Sequence, residues 1–308
     1  MSRLLDNFIS ENSLSIDYTA CPIVNIAGDQ NLVNELGGIF CRYRKELKTL
    51  ENCYNLSPVH GRSCLTKSAH GYVHIKGVGW SFGPPYIFST EKEPELIFGL
   101  FDIKYASREI AVSAILSAEN ITDAKSVATA ELVLDWLPKY KLPRGFIPSL
   151  LYTRLPCPYR IADLAYLDLA DRHGLLNIVR KFEYFDASAD TKGFIELFLA
   201  KLVKASSKLH SIGGVNDHLT YDNVTITGDI IDFEWVYVPG IPCPDGTTDV
   251  TLSSRQEKTG LYILEVTLQL SRLLGLEYNL HSIAADALEY SSCNNLTRLF
   301  HRIVMHSN

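Results

Sequence analysis

The sequence predicts an α+β fold in two lobes, strand-rich over residues 1–158 and helical over residues 159–308. Three observations predict it. Short strand-like runs fall between Gly61 and Leu155, with Val73 and Ile75 alternating with polar neighbours at the period of a half-buried strand. From Ile161 onward apolar positions recur at helical spacing over long segments. A single polar hairpin, Asp222 to Asp232, interrupts those helical segments. At 308 residues and 46% hydrophobic content, the chain can bury one large core or two modest ones.

In chain order, residues 1–50 read as an N-terminal extension with helical character around Asn31 to Leu50. Gly61 to Trp80, GRSCLTKSAHGYVHIKGVGW, reads as two strands joined by a turn at His70-Gly71, with Val73 and Ile75 alternating with polar neighbours. Lys76 ends the second strand, and Gly77-Val78-Gly79 follow it. A long connection rich in Pro and aromatics runs from Ser81 to Leu96. Ser107 to Ala118 is predicted as an amphipathic helix with Ser107 as its N-cap and Glu109 in its first turn. Ala128 to Leu134 and Ser149 to Leu155 are predicted strands, the second carrying Arg154 at its end, with Arg160 beyond Pro156 and Pro158. Helices are expected over Ile161 to His173, Phe194 to His210 and Gly260 to Leu274, with one or two more between Ala284 and Met305.

Charge and cysteine usage narrow the function. Lys and Arg total 29 against 35 Asp and Glu, a net charge of −6, so no global basic field recruits nucleic acid or an anionic membrane. No basic stripe, zinc-ligand spacing or RNA-binding aromatic motif is present. The seven cysteines form no Cys-x-x-Cys pair, and an odd number suits a reducing compartment better than a disulfide scaffold. Without a signal-like N-terminus or an apolar run of membrane-spanning length, the expectation is a cytoplasmic protein with no membrane partner.

The chemistry concentrates between Lys208 and Val238, KLHSIGGVNDHLTYDNVTITGDIIDFEWVYV. A helix end leads through Gly213-Gly214 into a polar loop with Asp222-Asn223. A strand from Val224 to Ile226, a turn at Gly228-Asp229 and a second strand, Ile230-Ile231, then end on Asp232. One reading is an ordinary hairpin whose polar residues are turn formers. The other is a protein-kinase-like fold, in which a loop Asn and a hairpin-end Asp hold the divalent metal on a nucleotide's phosphates. Mg²⁺ takes one or two protein oxygens and completes its shell with phosphate and water, so Asn223 and Asp232 suffice. A carboxylate set directly after an Ile run is costly unless a cation compensates it, which favours the second reading. Strands first, helices second and a hairpin among the helices is the order that a two-lobed kinase-like fold produces.

Further residues suit the phosphate end of such a site. Lys76 leaves its strand beside Gly77 and Gly79, where no side chain blocks a phosphate, although Lys before glycine is also common turn punctuation. Glu109 either answers the helix dipole or pairs with Lys76, as a strand Lys and a helix Glu do in kinases. Arg154 and Arg160 flank a Pro-stiffened turn and read either as solvated residues or as a phosphate clamp. His218, in the polar loop, can accept a proton near neutral pH.

Taken together, Lys76-Gly77-Val78-Gly79, Arg108-Glu109, Thr153-Arg154 with Arg160, Asp222-Asn223, Gly228 and Ile231-Asp232 resemble, in order, the motifs of the selenoprotein O family of protein adenylyltransferases. The resemblance covers residues 60–275. It implies ATP with Mg²⁺ or Mn²⁺ as cofactors, and transfer of AMP to a hydroxyl of a protein or small-molecule acceptor. It implies phosphate contacts from Lys76, Arg154 and Arg160, orientation of Lys76 by Glu109, metal binding by Asn223 and Asp232, and Asp222 as the base. The family's Gly-Asp-Gly-Arg is absent, and Phe233-Glu234 replace its Tyr-Gly after Asp232. Ile231-Asp232-Phe233-Glu234 instead looks like the corresponding stretch of aminoglycoside- and choline-kinase-like phosphotransferases, which move the γ-phosphate. That second family carries its catalytic Asp five residues before the metal-binding Asn, a position held here by His218, with Asp217 one residue earlier. A third reading is a pseudokinase scaffold that binds nucleotide without turnover.

Overall fold

The computed structural model of the chain describes Phe8, Glu11 and residues 19–40, 53–55, 57, 60–69, 71–79, 99–135, 142–180, 190–243 and 252–306. The fold is α+β, with a strand-rich unit and a helical unit. The chain divides into two compact units, Glu11–Ser113 with Ala124–Pro158, and Met1–Ser10 with Ala114–Asp123 and Tyr159–Asn308.

The first unit is built on a seven-stranded antiparallel sheet. In chain order its elements are β1 (Thr19–Cys21), β2 (Ile23–Gly28), helix α1 (Gln30–Leu36), β3 (Gly38–Phe40), β4 (Cys53–Tyr54), β5 (Ser63–Ser68), β6 (Gly71–Lys76), β7 (Phe101–Asp102), helix α2 (Ile103–Ala118), β8 (Lys125–Leu132) and β9 (Pro148–Leu155). The sheet runs β2-β8-β9-β6-β5-β4, with β7 also on β9, while β1 and β3 pair separately. The N-terminal extension, expected to be helical from Asn31, is helical only as far as Leu36, and within 19–40 it also adds strands β1, β2 and β3 to this unit. Helix α1 stops at Leu36 because Gly37, at φ 70°, leaves the helical region. The remainder of that expected helix, 41–50, and the connection Ser81 to Leu96 lie outside the described residues.

Alternation along β6 and β9 sorts their side chains onto two faces. Val73 and Ile75 join Cys64, Leu150 and Tyr152 in the larger core. Leu151 faces the other way and packs with Phe101 and Ala106. Lys76 is the register partner of Leu151, so it points to that second face.

Helix α2 begins four residues earlier than predicted. The Asp102 carboxylate accepts from the Lys104 N–H at 3.2 Å, and the Ile103 N–H donates to the Ile147 carbonyl at 2.9 Å. Ser107 is consequently interior to the helix, and Glu109 belongs to its second turn, not its first. The last turn of α2, from Ala114, belongs to the second unit.

The second unit contains helices α3 (Leu169–Val179), α4 (Thr191–Ser211), α5 (Leu252–Leu273), α6 (Leu280–Tyr290) and α7 (Asn294–Met305). Side-chain caps start three of them: Asp168 accepts from Asp171 N–H, Asp190 from Gly193 N–H and Asn279 from Ser282 N–H. Helix α4 buries Phe194, Phe198, Leu202 and Leu209 along one side. The expected Ile161 to His173 helix is instead a short 3₁₀ turn, Ile161–Tyr166, broken before α3 by Leu167 in an extended conformation. Two short strands, β10 (Val215–Asn216) and β11 (Val236–Tyr237), pair antiparallel and bracket the polar loop and hairpin.

Candidate functional site

In the sheet unit the site is built on β6 and α2. Lys76 reaches the face lined by Phe101 and Ala106, and its Nζ lies 2.8 Å from Glu109 Oε1. The Phe101 ring centroid lies 4.4 Å from the same nitrogen, within the range of a cation–π contact. Both partners of the ion pair are buried, with side-chain exposures of 5% and 2%. Glu109 thus answers the lysine and not the helix dipole. A buried pair of this kind is a weak source of net stability but a strong constraint, because removing one partner leaves an uncompensated charge.

The glycines after Lys76 have a packing role. Gly77 sits at φ 94°, and a Cβ there would lie 2.3 Å from the Ser149 carbonyl oxygen and 2.9 Å from Phe101 Cβ. The chain needs glycine at this position to pass β9 and Phe101, whatever approaches it. Gly79 also has a positive φ, 84°.

Arg154 is held by Asp29, with Nη2 to Oδ2 at 2.6 Å. The same carboxylate caps α1 through the Leu32 N–H. Separated by 125 residues, this pair was invisible to the motif reading. Arg154 and Arg160 fall in different units, and Arg160 donates from Nη1 to the Asp222 carbonyl at 2.9 Å.

In the helical unit, the loop and hairpin form a tight scaffold. Asn216 Oδ1 accepts from the His218 N–H at 2.9 Å, and the Asn223 N–H donates to the Thr220 carbonyl at 2.9 Å. Val224 bridges Ile230, and Ile231 N–H donates to the Asn223 carbonyl at 3.0 Å. The predicted hairpin is therefore present as a single bridge flanked by turn hydrogen bonds, not as two full strands. Residues 159–162 run along its other side, through Ile226 N–H to Tyr159 O and Ile161 N–H to Val224 O.

Asn223 Nδ2 donates to the His218 carbonyl at 3.2 Å, which fixes the amide and leaves Oδ1 accepting no hydrogen bond among the described residues. Asp222, half-buried, accepts from the Thr220 hydroxyl. Asp217 is tied to Arg255 on α5 by an ion pair.

Asp232 has φ 63° and ψ 84°, in the left-handed region, and precedes a 3₁₀ turn, Phe233–Trp235. Asp tolerates this region better than most residues, and a non-glycine there marks a position held by its surroundings. The turn brings Glu234 back, so that carboxylate oxygens of Asp232 and Glu234 lie within 4.8 Å of one another. Glu234 had been read only as part of a resemblance, and its proximity to Asp232 depends on the left-handed backbone.

A hard divalent cation prefers oxygen donors of this type: carboxylates and an amide oxygen. Of the residues expected to hold the metal, Asp232 has the Glu234 carboxylate beside it as a second oxygen donor. Among the described residues, no helix is long and apolar enough to cross a membrane.

No protein-family model matches the sequence. No curated protein matches it either. Among solved structures, the chain is similar to the PAN3 pseudokinase of Neurospora crassa, in a mutant form, at 8% identity and a TM-score of 0.37. That match covers 100% of this chain but 64% of the PAN3 chain, so the chain spans less than two thirds of its length. It is also similar to ROP2 of Toxoplasma gondii, described as a virulence factor with a protein-kinase fold and no enzymatic activity, at 10% identity and a TM-score of 0.38, over 99% of this chain and 91% of that one.

Proposed function

We propose that the chain is a kinase-like nucleotide-binding protein that takes ATP with Mg²⁺ or Mn²⁺ and acts as a pseudokinase scaffold. The observation that carries this reading is the buried Lys76–Glu109 ion pair at 2.8 Å. An amine held by a carboxylate at the end of a strand is what kinase-like folds use to meet nucleotide phosphates. Asn223, Asp232 and Glu234 would hold the metal, which would neutralise phosphate charge when bound.

Several of the groups that phosphoryl transfer would use already have protein partners, although Asp217 Oδ1 has none among the described residues. The position five residues before Asn223 is His218, and the nearby Asp217 carboxylate is engaged by Arg255. Arg154 is committed to Asp29 and Arg160 to the Asp222 carbonyl, which weakens the case for a phosphate clamp. Gly77 is explained by packing without a phosphate.

A second reading is transfer of AMP to a hydroxyl of a protein or small molecule, favoured by Asp222, a half-buried carboxylate directly before Asn223. The two readings separate when the protein is incubated with Mg²⁺ or Mn²⁺ and ATP labelled at the α- or γ-phosphate, alone and with a cell extract. The scaffold reading predicts ATP binding with neither label transferred. Transfer from the α position, abolished in Asp222→Asn, would replace it with nucleotidyl transfer, and transfer from γ would overturn both.

A further inference from the structure

Outside that site, the last turn of α2 and the segment after it face helix α4 within the helical unit. Between them lies a groove of about 350 Å³, walled by Asn120–Asp123 on one side and by α4 on the other. This is the size of a pocket for a small ligand. Helical spacing puts Lys201, Lys204 and Lys208 on the α4 wall, one above the other. Leu197, 38% exposed, extends the same wall as an apolar surface.

The three lysines are held differently. Lys201 Nζ lies 2.8 Å from Asp229 and 3.4 Å from Asp123. Lys208 Nζ donates only to neutral groups, the carbonyls of Glu119 at 3.2 Å and Asn120 at 3.5 Å. The Lys204 ammonium lies 5.7 Å from the Tyr290 ring centroid. Neither Lys204 nor Lys208 pairs with a carboxylate among the described residues. In a chain of net charge −6, this groove keeps two uncompensated cations on adjacent helical turns, beside an apolar wall.

We propose that the groove binds a small phosphate monoester, with the phosphate on Lys204 and Lys208 and the organic group against Leu197. A monoester carries close to two negative charges near neutral pH and three acceptor oxygens, which matches two ammoniums, whereas a single carboxylate would leave one unanswered. The site also bears on the hairpin. Asp229 is fully buried and accepts from Lys201 Nζ, from the Thr227 hydroxyl at 2.9 Å and from the Asp123 N–H at 3.2 Å. It stands three residues before Asp232, so an anion beside Lys201 competes with the carboxylate that anchors that turn. The groove's own ligand does not depend on the nucleotide reading.

The test is a titration of the full chain with phenyl phosphate, phenol and a phosphoserine peptide, followed by calorimetry in buffer containing a metal chelator. Lys204→Gln/Lys208→Gln is the variant of choice, since both side chains are exposed, whereas removing Lys201 would strip buried Asp229 of its partner. Circular dichroism checks that the variant is folded. Phenyl phosphate should bind saturably at one site, phenol should not, and the double variant should bind about tenfold more weakly. Added salt should also weaken binding. Absence of saturable phenyl phosphate binding, equal binding by the double variant, or markedly tighter binding of the phosphopeptide would each overturn the assignment.

Discussion

His210, in the last turn of α4, is buried, and neither ring nitrogen meets a hydrogen-bond partner among the described residues. Burial lowers its pKa from the ordinary 6.5 to about 4. The folded protein therefore keeps the imidazole neutral while the unfolded chain takes up a proton once the pH falls below about 6.5. The associated stability is fully present above that pH and is lost as the pH falls from 6.5 toward 4. At pH 5 the loss relative to pH 7.5 should be on the order of 2 kcal/mol. Urea unfolding of wild type and His210→Leu at both pH values checks this: the wild type should lose that much more than the variant, and equal losses would exclude His210. At this scale the sequence was legible in part. The pairing of Lys76 with Glu109 was one of two readings open, decided by the second-turn position of Glu109. The Asp29–Arg154 pair was not legible, because nothing local marks a partner 125 residues away.

At the scale of elements, β6 and α2 are joined through the Lys76–Glu109 pair and the Phe101–Ala106–Leu151 cluster. Breaking a buried pair from one side typically costs about 3–5 kcal/mol. Lys76→Met or Glu109→Gln alone should therefore lower stability by about that amount. Lys76→Met with Glu109→Leu should cost clearly less than the sum of the singles, a coupling that chemical denaturation of the four proteins measures. Additive losses would show that the two groups do not act as a pair. Strand β6 was legible because Val73 and Ile75 alternate with polar neighbours and Gly77 follows its end, while β5 and β9 were legible as short runs bounded by the His70-Gly71 turn and by Pro156. The start of α2 was misjudged because Ser107 offers a plausible cap, whereas the true start uses Asp102 and a backbone bond to Ile147. The stop of α1 was written in Gly37-Gly38, but the mixed charges beyond it resemble an amphipathic continuation.

At the scale of the molecule, an acidic chain answers several of its cations with specific carboxylates: Lys76 on Glu109, Arg154 on Asp29, Arg255 on Asp217. The division into a strand-rich unit and a helical unit was legible because the period of the apolar pattern changes near Ile161. The exchange of Ala114–Asp123 into the helical unit was not, since it depends on contacts such as the Thr122 hydroxyl donating to the Ile230 carbonyl at 2.9 Å. The proposed nucleotide function predicts that ATP affinity rests on the cation. Calorimetric titration of the full chain with ATP, in Mn²⁺ or Mg²⁺ and again in chelator, tests it most directly, with Asp232→Asn in parallel. Asn keeps the tolerance of a left-handed backbone while removing the carboxylate charge. The account predicts saturable ATP binding with the metal, at least about tenfold weaker binding in chelator, and a similar weakening in Asp232→Asn. Equal ATP binding with and without the metal, or no binding at all, would contradict it.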